Sequence, residues 1–203
     1  MLTSSTSGSD ILSLLAFAIS ATVTPGGATL LATVSGARFG LRRSLPLLAG
    51  IAAGLAALVA LAGAGLGSLL QAAPALQSAM RVAGSAYLLW LAWQIARSGA
   101  PDIGQAESSS PMGFPTEIAL LWLNPKGWTM ALAASATYAG LGTDPVSLAA
   151  LLGAVFGAAA ALSLLVWCAC GLLARTLRTT AAWRAVNAVL GAALAASVIP
   201  IWL

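Results

Sequence analysis

Six apolar runs, each long enough to cross a bilayer and nearly free of charge, restrict what this chain can fold into. They cover Ile11 to Val34, Leu45 to Leu70, Ala75 to Ile95, Phe114 to Tyr138, Val146 to Leu173 and Ala181 to Leu203. A spanning helix needs about 20 predominantly apolar residues. In hydrocarbon every backbone N–H and C=O needs an internal partner, which leaves helices or a closed barrel. The runs lack period-two alternation and so predict helices. Only 7% of the residues are charged, against about 25% in an ordinary soluble domain. The expected fold is an all-α integral membrane protein, one transmembrane domain over residues 1–203 with six transmembrane helices.

The basic residues report orientation. Arg38, Arg42 and Arg43 fall in the first loop, Arg97 at the start of the third, and Arg175, Arg178 and Arg184 around the fifth, whereas only Arg81 lies on the opposite side. Positively charged short loops stay in the cytoplasm. A multi-pass protein of the cytoplasmic (inner) membrane with both termini on the non-cytoplasmic side is expected. The segment Met1 to Asp10 has no Lys or Arg, unlike the n-region of a cleaved signal peptide, so the first span is expected to stay. The net charge of +4 is spread over membrane boundaries and forms no patch, which argues against a nucleic-acid partner. The partners implied are the lipid bilayer and a small solute.

Residues 98–113 are rich in Gly, Ser and Pro and read as a cytoplasmic linker between two halves, about 11–97 and 114–203. Gly50, Gly54 and Arg81 recur as Gly153, Gly157 and Arg184 at one common offset, and Pro25 recurs as Pro125 at an offset three residues shorter. Three spans per half is an odd number, so the second copy would enter the membrane inverted. Inverted repeats with interrupted helices at matching positions point to a secondary transporter.

Two interruptions match that pattern. In Thr24-Pro25-Gly26-Gly27 the proline frees a carbonyl and the glycines ease departure from helical geometry, so Thr24 to Thr29 can offer backbone groups to a solute; a packing kink is the alternative. In Leu123-Asn124-Pro125-Lys126 a proline stands beside an ammonium in the middle of a span. Lys126 lies roughly 18 Å from either end of its span at about 1.5 Å per residue, too far for comfortable snorkelling. It is expected to bind solute or couple transport, or else to cap the carbonyls of a broken helix. Trp122 and Trp128 flank this break as candidate walls of the path. Glu117 falls half a turn out of phase with Lys126 on an unbroken helix and reads as a cytoplasmic-edge residue, with a gate or proton relay as the alternative. Gly50, Gly54, Gly153 and Gly157 read as helix-packing positions. Tyr87, Trp90 and Trp93 share one helix side and read as packing too.

No cofactor or metal is implied, because the chain has no histidine and its acids are dispersed. Cys168 and Cys170 point about 200° apart on a helix, which disfavours a disulfide.

At these motifs the chain resembles the LysE/RhtB family of amino-acid exporters. Gly84-Ser85-Ala86-Tyr87-Leu88-Leu89-Trp90-Leu91-Ala92-Trp93 is similar to that family's G-x-A-Y-L-L-x-L-G run, Leu123-Asn124-Pro125-Lys126 matches its L-N-P-K, and Pro25-Gly26-Gly27-Ala28-Thr29 stands where the family has P-G-P-N. The resemblance implies export of small amino acids or related metabolites, driven by the proton gradient, by a homodimer. Ala28 replaces the usual asparagine, and Leu55 stands where many members carry an aspartate. With Lys126 the only deeply embedded charge, a cationic solute would meet repulsion, and a neutral or acidic solute is favoured.

Two other functions compete. An intramembrane thiol-redox enzyme would want a reactive cysteine in each half, whereas both cysteines share the fifth span; intramembrane hydrolysis lacks a histidine, paired aspartates and a G-x-S-x-G turn. A non-enzyme is therefore expected. A non-transporting scaffold is the second competitor, and it would have a dry, packed interior around Lys126.

Overall fold

The computed structural model describes residues 8–66, 74–97, 125–174, 176 and 179–202, and every element among them is helical. Helix α1 is Gly8–Val23 and α2 is Gly27–Leu61, which runs on into a π-helical turn, Ala62–Leu66. Helix α3 is Pro74–Ala96, α4 is Pro125–Thr137, α5 is Pro145–Ala174, α6 is Thr180–Ala196 and α7 is Ile199–Trp202. The expected linker 98–113, together with Glu117, Trp122, Asn124, Arg175 and Arg178, lies outside the described residues.

Helix α2 is two helices folded back on each other. Gly40 has φ 76° and ψ 172°, a region essentially reserved for glycine. Ser35 and Ser44 hydroxyls lie 2.7 Å apart, whereas nine residues along a straight helix span about 13 Å. The segments 27–39 and 41–61 thus meet at a single residue, and Arg38, Arg42 and Arg43 sit on helix ends instead of in the loop the sequence suggested. A glycine with positive φ reverses the chain without any loop, and hydropathy alone does not register such a turn.

Small residues set the central contact. A Cβ on Gly153 would stand 3.1 Å from the Ala56 carbonyl oxygen and from the Ala60 Cβ, and one on Gly157 would stand 3.0 Å from the Ala56 Cβ. The residue numbers run in opposite directions, so 41–61 and α5 are antiparallel. Gly50 and Gly54 are buried on the same segment of α2. Closer still, Gly36 lies against the Cys168 carbonyl and Gly171 against the Thr33 carbonyl, where neither could carry a side chain without backbone movement. Close backbone approach through small residues is how helices associate where lipid removes the ordinary hydrophobic drive.

Helix α1 lies along α5, with Phe17 edge-on to Phe156 at 6.0 Å. Helices α3 and α6 pair antiparallel: Gly191 packs on Ala92 and Ala96, and the Trp202 indole N–H donates to Ser85 Oγ at 3.0 Å. Leu30, Leu88, Ile95 and Leu194 form the core of this second contact. Because that interface is built from small and aliphatic residues, Trp90 and Trp93 are 51% and 55% exposed on the outer side of α3, not packed as the sequence suggested. Trp93 there carries the Arg97 guanidinium 4.2 Å from its ring centroid.

The outside of the bundle is as apolar as its core. On α5, Leu162 is 66% and Val166 62% exposed while Leu152 and Phe156 are fully buried. A helix that is apolar on every face belongs inside a large core or a membrane. Among the described residues, Gly27–Gly65 and Pro145–Ala174 have the length and apolarity to cross a bilayer, the first of them turned at Gly40.

Candidate functional site

The chain leaves helical geometry between α1 and α2, and donors from two other helices meet the carbonyls this frees. Pro25 has no N–H and ends α1 at Val23, while Gly26 is fully extended, with φ −170° and ψ −176°. Four successive carbonyls are then satisfied from outside. Ser163 Oγ donates to the Thr22 carbonyl at 2.8 Å and the Trp167 indole N–H to that of Val23 at 3.2 Å. The Lys126 ammonium donates to the carbonyls of Thr24 at 2.7 Å and Pro25 at 3.3 Å. A cation at a helix C-terminus also suits the negative end of the helix dipole. The capping geometry considered for Lys126 is therefore realised, and it joins the two interruptions directly.

On the other side of the break α2 begins. The Gly26 N–H donates to Thr29 Oγ1 at 2.8 Å, and Thr29 Oγ1 donates back to the Gly26 carbonyl at 2.9 Å. The first N–H groups of a helix are left without intrahelical acceptors and carry its positive end. Beside them is a cavity of about 40 Å³ bounded by Thr24, Gly26, Gly27, Thr29 and Lys126, with Leu55 and Met130 among its apolar walls. It has room for a few water molecules. A helix N-terminus and an ammonium facing one cavity favour a negative group there.

The sequence-derived candidates distribute around this cavity. Thr24, Gly26, Gly27, Thr29 and Lys126 line it, as do Ala28 and Leu55, the two positions at which the chain departs from the family motifs. Pro25 lines a neighbouring void of about 10 Å³ with Gly26, Thr29, Leu30, Trp167, Leu190 and Leu194. Trp128 packs against the main core. Pro125 is the first residue of α4, where a missing N–H costs nothing. Ser163 and Trp167, which complete the carbonyl shell, escaped sequence reading: a serine and a tryptophan within an apolar run give no signal of partners across 141 and 144 residues. The cysteines of α5 share no site, Cys168 being buried and Cys170 exposed, both as free thiols.

A third, larger cavity of about 200 Å³ lies between segment 27–39, α3 and α6, with Thr33, Arg38, Gln94 and Asn187 among its walls. It shares Leu30 and Leu190 with the 10 Å³ void, which shares Gly26 and Thr29 with the 40 Å³ cavity beside Lys126.

Comparison with known proteins gives a family and a set of relatives. The sequence model of the LysE type translocator family matches residues 19–197. A cysteine/O-acetylserine efflux protein of Klebsiella pneumoniae subsp. pneumoniae is 37% identical over 112 residues, 55% of this chain and 56% of the relative. Cysteine/O-acetylserine efflux proteins of Salmonella choleraesuis and Escherichia coli O9:H4 are each 35% identical over 104 residues, 51% of this chain and 52% of theirs. The match spans about half the length of these curated relatives. No solved structure gives a significant match.

Proposed function

The chain belongs to the LysE type translocator family, and on that premise we propose that it is a secondary exporter of small neutral or acidic amino-acid-like solutes across the cytoplasmic membrane. Its site is the cavity where Lys126 meets the break at Thr24 to Thr29. The observation that carries this reading is the pair of hydrogen bonds from the Lys126 ammonium to the Thr24 and Pro25 carbonyls, beside a cavity faced by a helix N-terminus. Relatives named for efflux of cysteine and O-acetylserine support that solute class.

In this reading six spans form two inverted halves, with both termini outside the cytoplasm and export driven by the proton gradient. The contacts support an inverted arrangement. The second span of one half runs antiparallel to the second of the other, the third meets the third in the same way, and the interrupted first spans meet through Lys126. Proteins of this kind alternate access by moving one half against the other around a midplane site. A scaffold without transport is disfavoured, since the lysine borders a cavity and not a dry, packed core.

The test is counterflow in proteoliposomes against L-cysteine, O-acetyl-L-serine and a panel of other amino acids, with and without an imposed pH gradient. The parent is expected to exchange cysteine or O-acetylserine, and Lys126→Ala, inserted at equal levels, to fall to the rate of empty vesicles. Parental rates in Lys126→Ala would remove the site; no exchange of any panel member would remove the exporter.

A further inference from the structure

The 200 Å³ cavity combines features that packing alone does not require. Asn187 is only 8% exposed, although it occupies the face of α6 that otherwise buries Trp183, Gly191 and Leu194. Opposite it, Thr33 is buried on α2 with its hydroxyl bonded to the Thr29 carbonyl at 2.9 Å. Arg38 and Gln94 complete the polar lining, while Leu30 and Trp183 supply an apolar wall. Polar side chains within spanning helices face the bundle interior or a water-filled cavity. By the positive-inside argument, Arg38 marks the cytoplasmic end.

We propose that this cavity is a cytoplasmic entry site that takes the carboxylate of an amino acid on Arg38, with the Asn187 and Gln94 amides beside it and the solute's side chain against Leu30 and Trp183. The assignment rests on the export reading above for its orientation and solute class. Its chemistry follows from the lining. A guanidinium stays charged at any physiological pH and offers a planar fork of N–H donors matched to a carboxylate's two oxygens. Amides supply further donors, and none of the described lining residues is acidic, so a free ammonium finds no counter-carboxylate here. The charge that the site reads is thus the solute's carboxylate. The small void shared through Leu30 and Leu190 then leads toward Gly26 and Thr29.

The test is calorimetric titration of the purified full chain with L-cysteine and with L-cysteinamide, which lacks the anionic carboxylate. The parent should prefer the acid by about tenfold or more, as expected for loss of a charge-assisted contact. Arg38→Gln should reduce that preference to about twofold or less, Arg38→Lys, which keeps the charge but loses the fork, should give an intermediate preference, and Arg43→Gln, at an exposed arginine outside this cavity, should leave it unchanged. Asn187→Leu should weaken L-cysteine binding about threefold to tenfold and serves if Arg38→Gln does not elute as a folded species. The proposal falls if the parent does not discriminate acid from amide, if Arg38→Gln keeps parental discrimination, or if Arg43→Gln abolishes it. An intact Arg38-dependent preference without counterflow overturns export and leaves the site. Counterflow with a preference indifferent to Arg38 overturns the site and leaves export.

Discussion

At Gly26 the positions of backbone and side chain separate two roles that usually move together. Its extended backbone is open to any residue, but an added Cβ would meet the Lys126 Nζ at 3.1 Å and Cδ at 3.3 Å, the flexible end of that side chain. Gly26→Ala is therefore expected to fold normally while pushing the ammonium off the Thr24 and Pro25 carbonyls. A hydrogen bond to a charged group contributes about 1.5–3 kcal/mol, which corresponds to roughly tenfold or more in an equilibrium. Counterflow should drop by about that factor with an unchanged gel-filtration profile; a parental rate would mean that the exact seat of the ammonium is immaterial. Lys126 and the break at Thr24 to Gly27 were legible in the sequence because a charge and a proline interrupt otherwise apolar runs, and each has a large local cost. Their direct bond was not legible. It spans 102 residues and depends on how α4 docks beside α1.

Among elements, glycine spacing revealed that α2 and α5 approach closely but misjudged where the approach is closest. Gly50, Gly54, Gly153 and Gly157 stand out in sequence as pairs one turn apart. Gly171 belongs to no such pair and Gly36 pairs only with Gly40, the turn residue, yet at Gly36 and Gly171 backbone meets backbone. Gly171→Ala would drive a Cβ into the Thr33 carbonyl, which has no flexible end to yield. A loss of about 1–3 kcal/mol or more is expected, read as a lowered thermal midpoint in detergent. Gly140→Ala, with nothing within 4 Å, should change stability by less than about 0.5 kcal/mol. Equal effects would show that the contact is not specific. The start of α5 carries a different control. Asp144 caps it, accepting the N–H groups of Ser147 at 3.1 Å and Val146 at 2.9 Å. These bonds, that from Ser147 foremost, hold its carboxyl below the usual aspartate value. A depressed folded value means that the cap's contribution is complete above the unfolded value of about 3.9 and is lost as pH falls through the lower folded one. The thermal midpoint of Asp144→Ala should lie below the parent's at pH 7, and the gap should narrow as pH falls below about 4 and close once it is below the depressed folded value. A gap that persists there would put the stabilisation elsewhere.

At the scale of the whole molecule, on the proposed export reading, the cavities are stages of one path, with apolar side chains between them. Between the chamber of about 200 Å³ and that of about 40 Å³ lies a void of about 10 Å³ lined by Leu30, Leu190 and Leu194, which shares Leu30 and Leu190 with the first and Gly26 and Thr29 with the second. Leu30 and Leu194 are 4% and 1% exposed and pack together, with Leu190 against them. Apolar side chains closing a narrow passage exclude water as well as solute, and on the proposed route a solute entering from the Arg38 end would have to part them. Amphipathic patterning could not disclose this, because leucines that gate and leucines that merely pack look alike in a continuous apolar run. Substitution in both directions distinguishes them. Leu190 is half-buried, so it tolerates change better than its fully buried neighbours. If passage here limits export, Leu190→Ala should raise the counterflow rate about twofold to threefold and Leu190→Phe should lower it about tenfold, a change of about 1.4 kcal/mol in the barrier. A purely structural leucine would respond to both substitutions with a lower rate, because lost packing and overpacking each destabilise a well-filled core. Rates per folded molecule that move in opposite directions would mark the leucine as the closure; rates that fall together would place the limiting step elsewhere in the cycle.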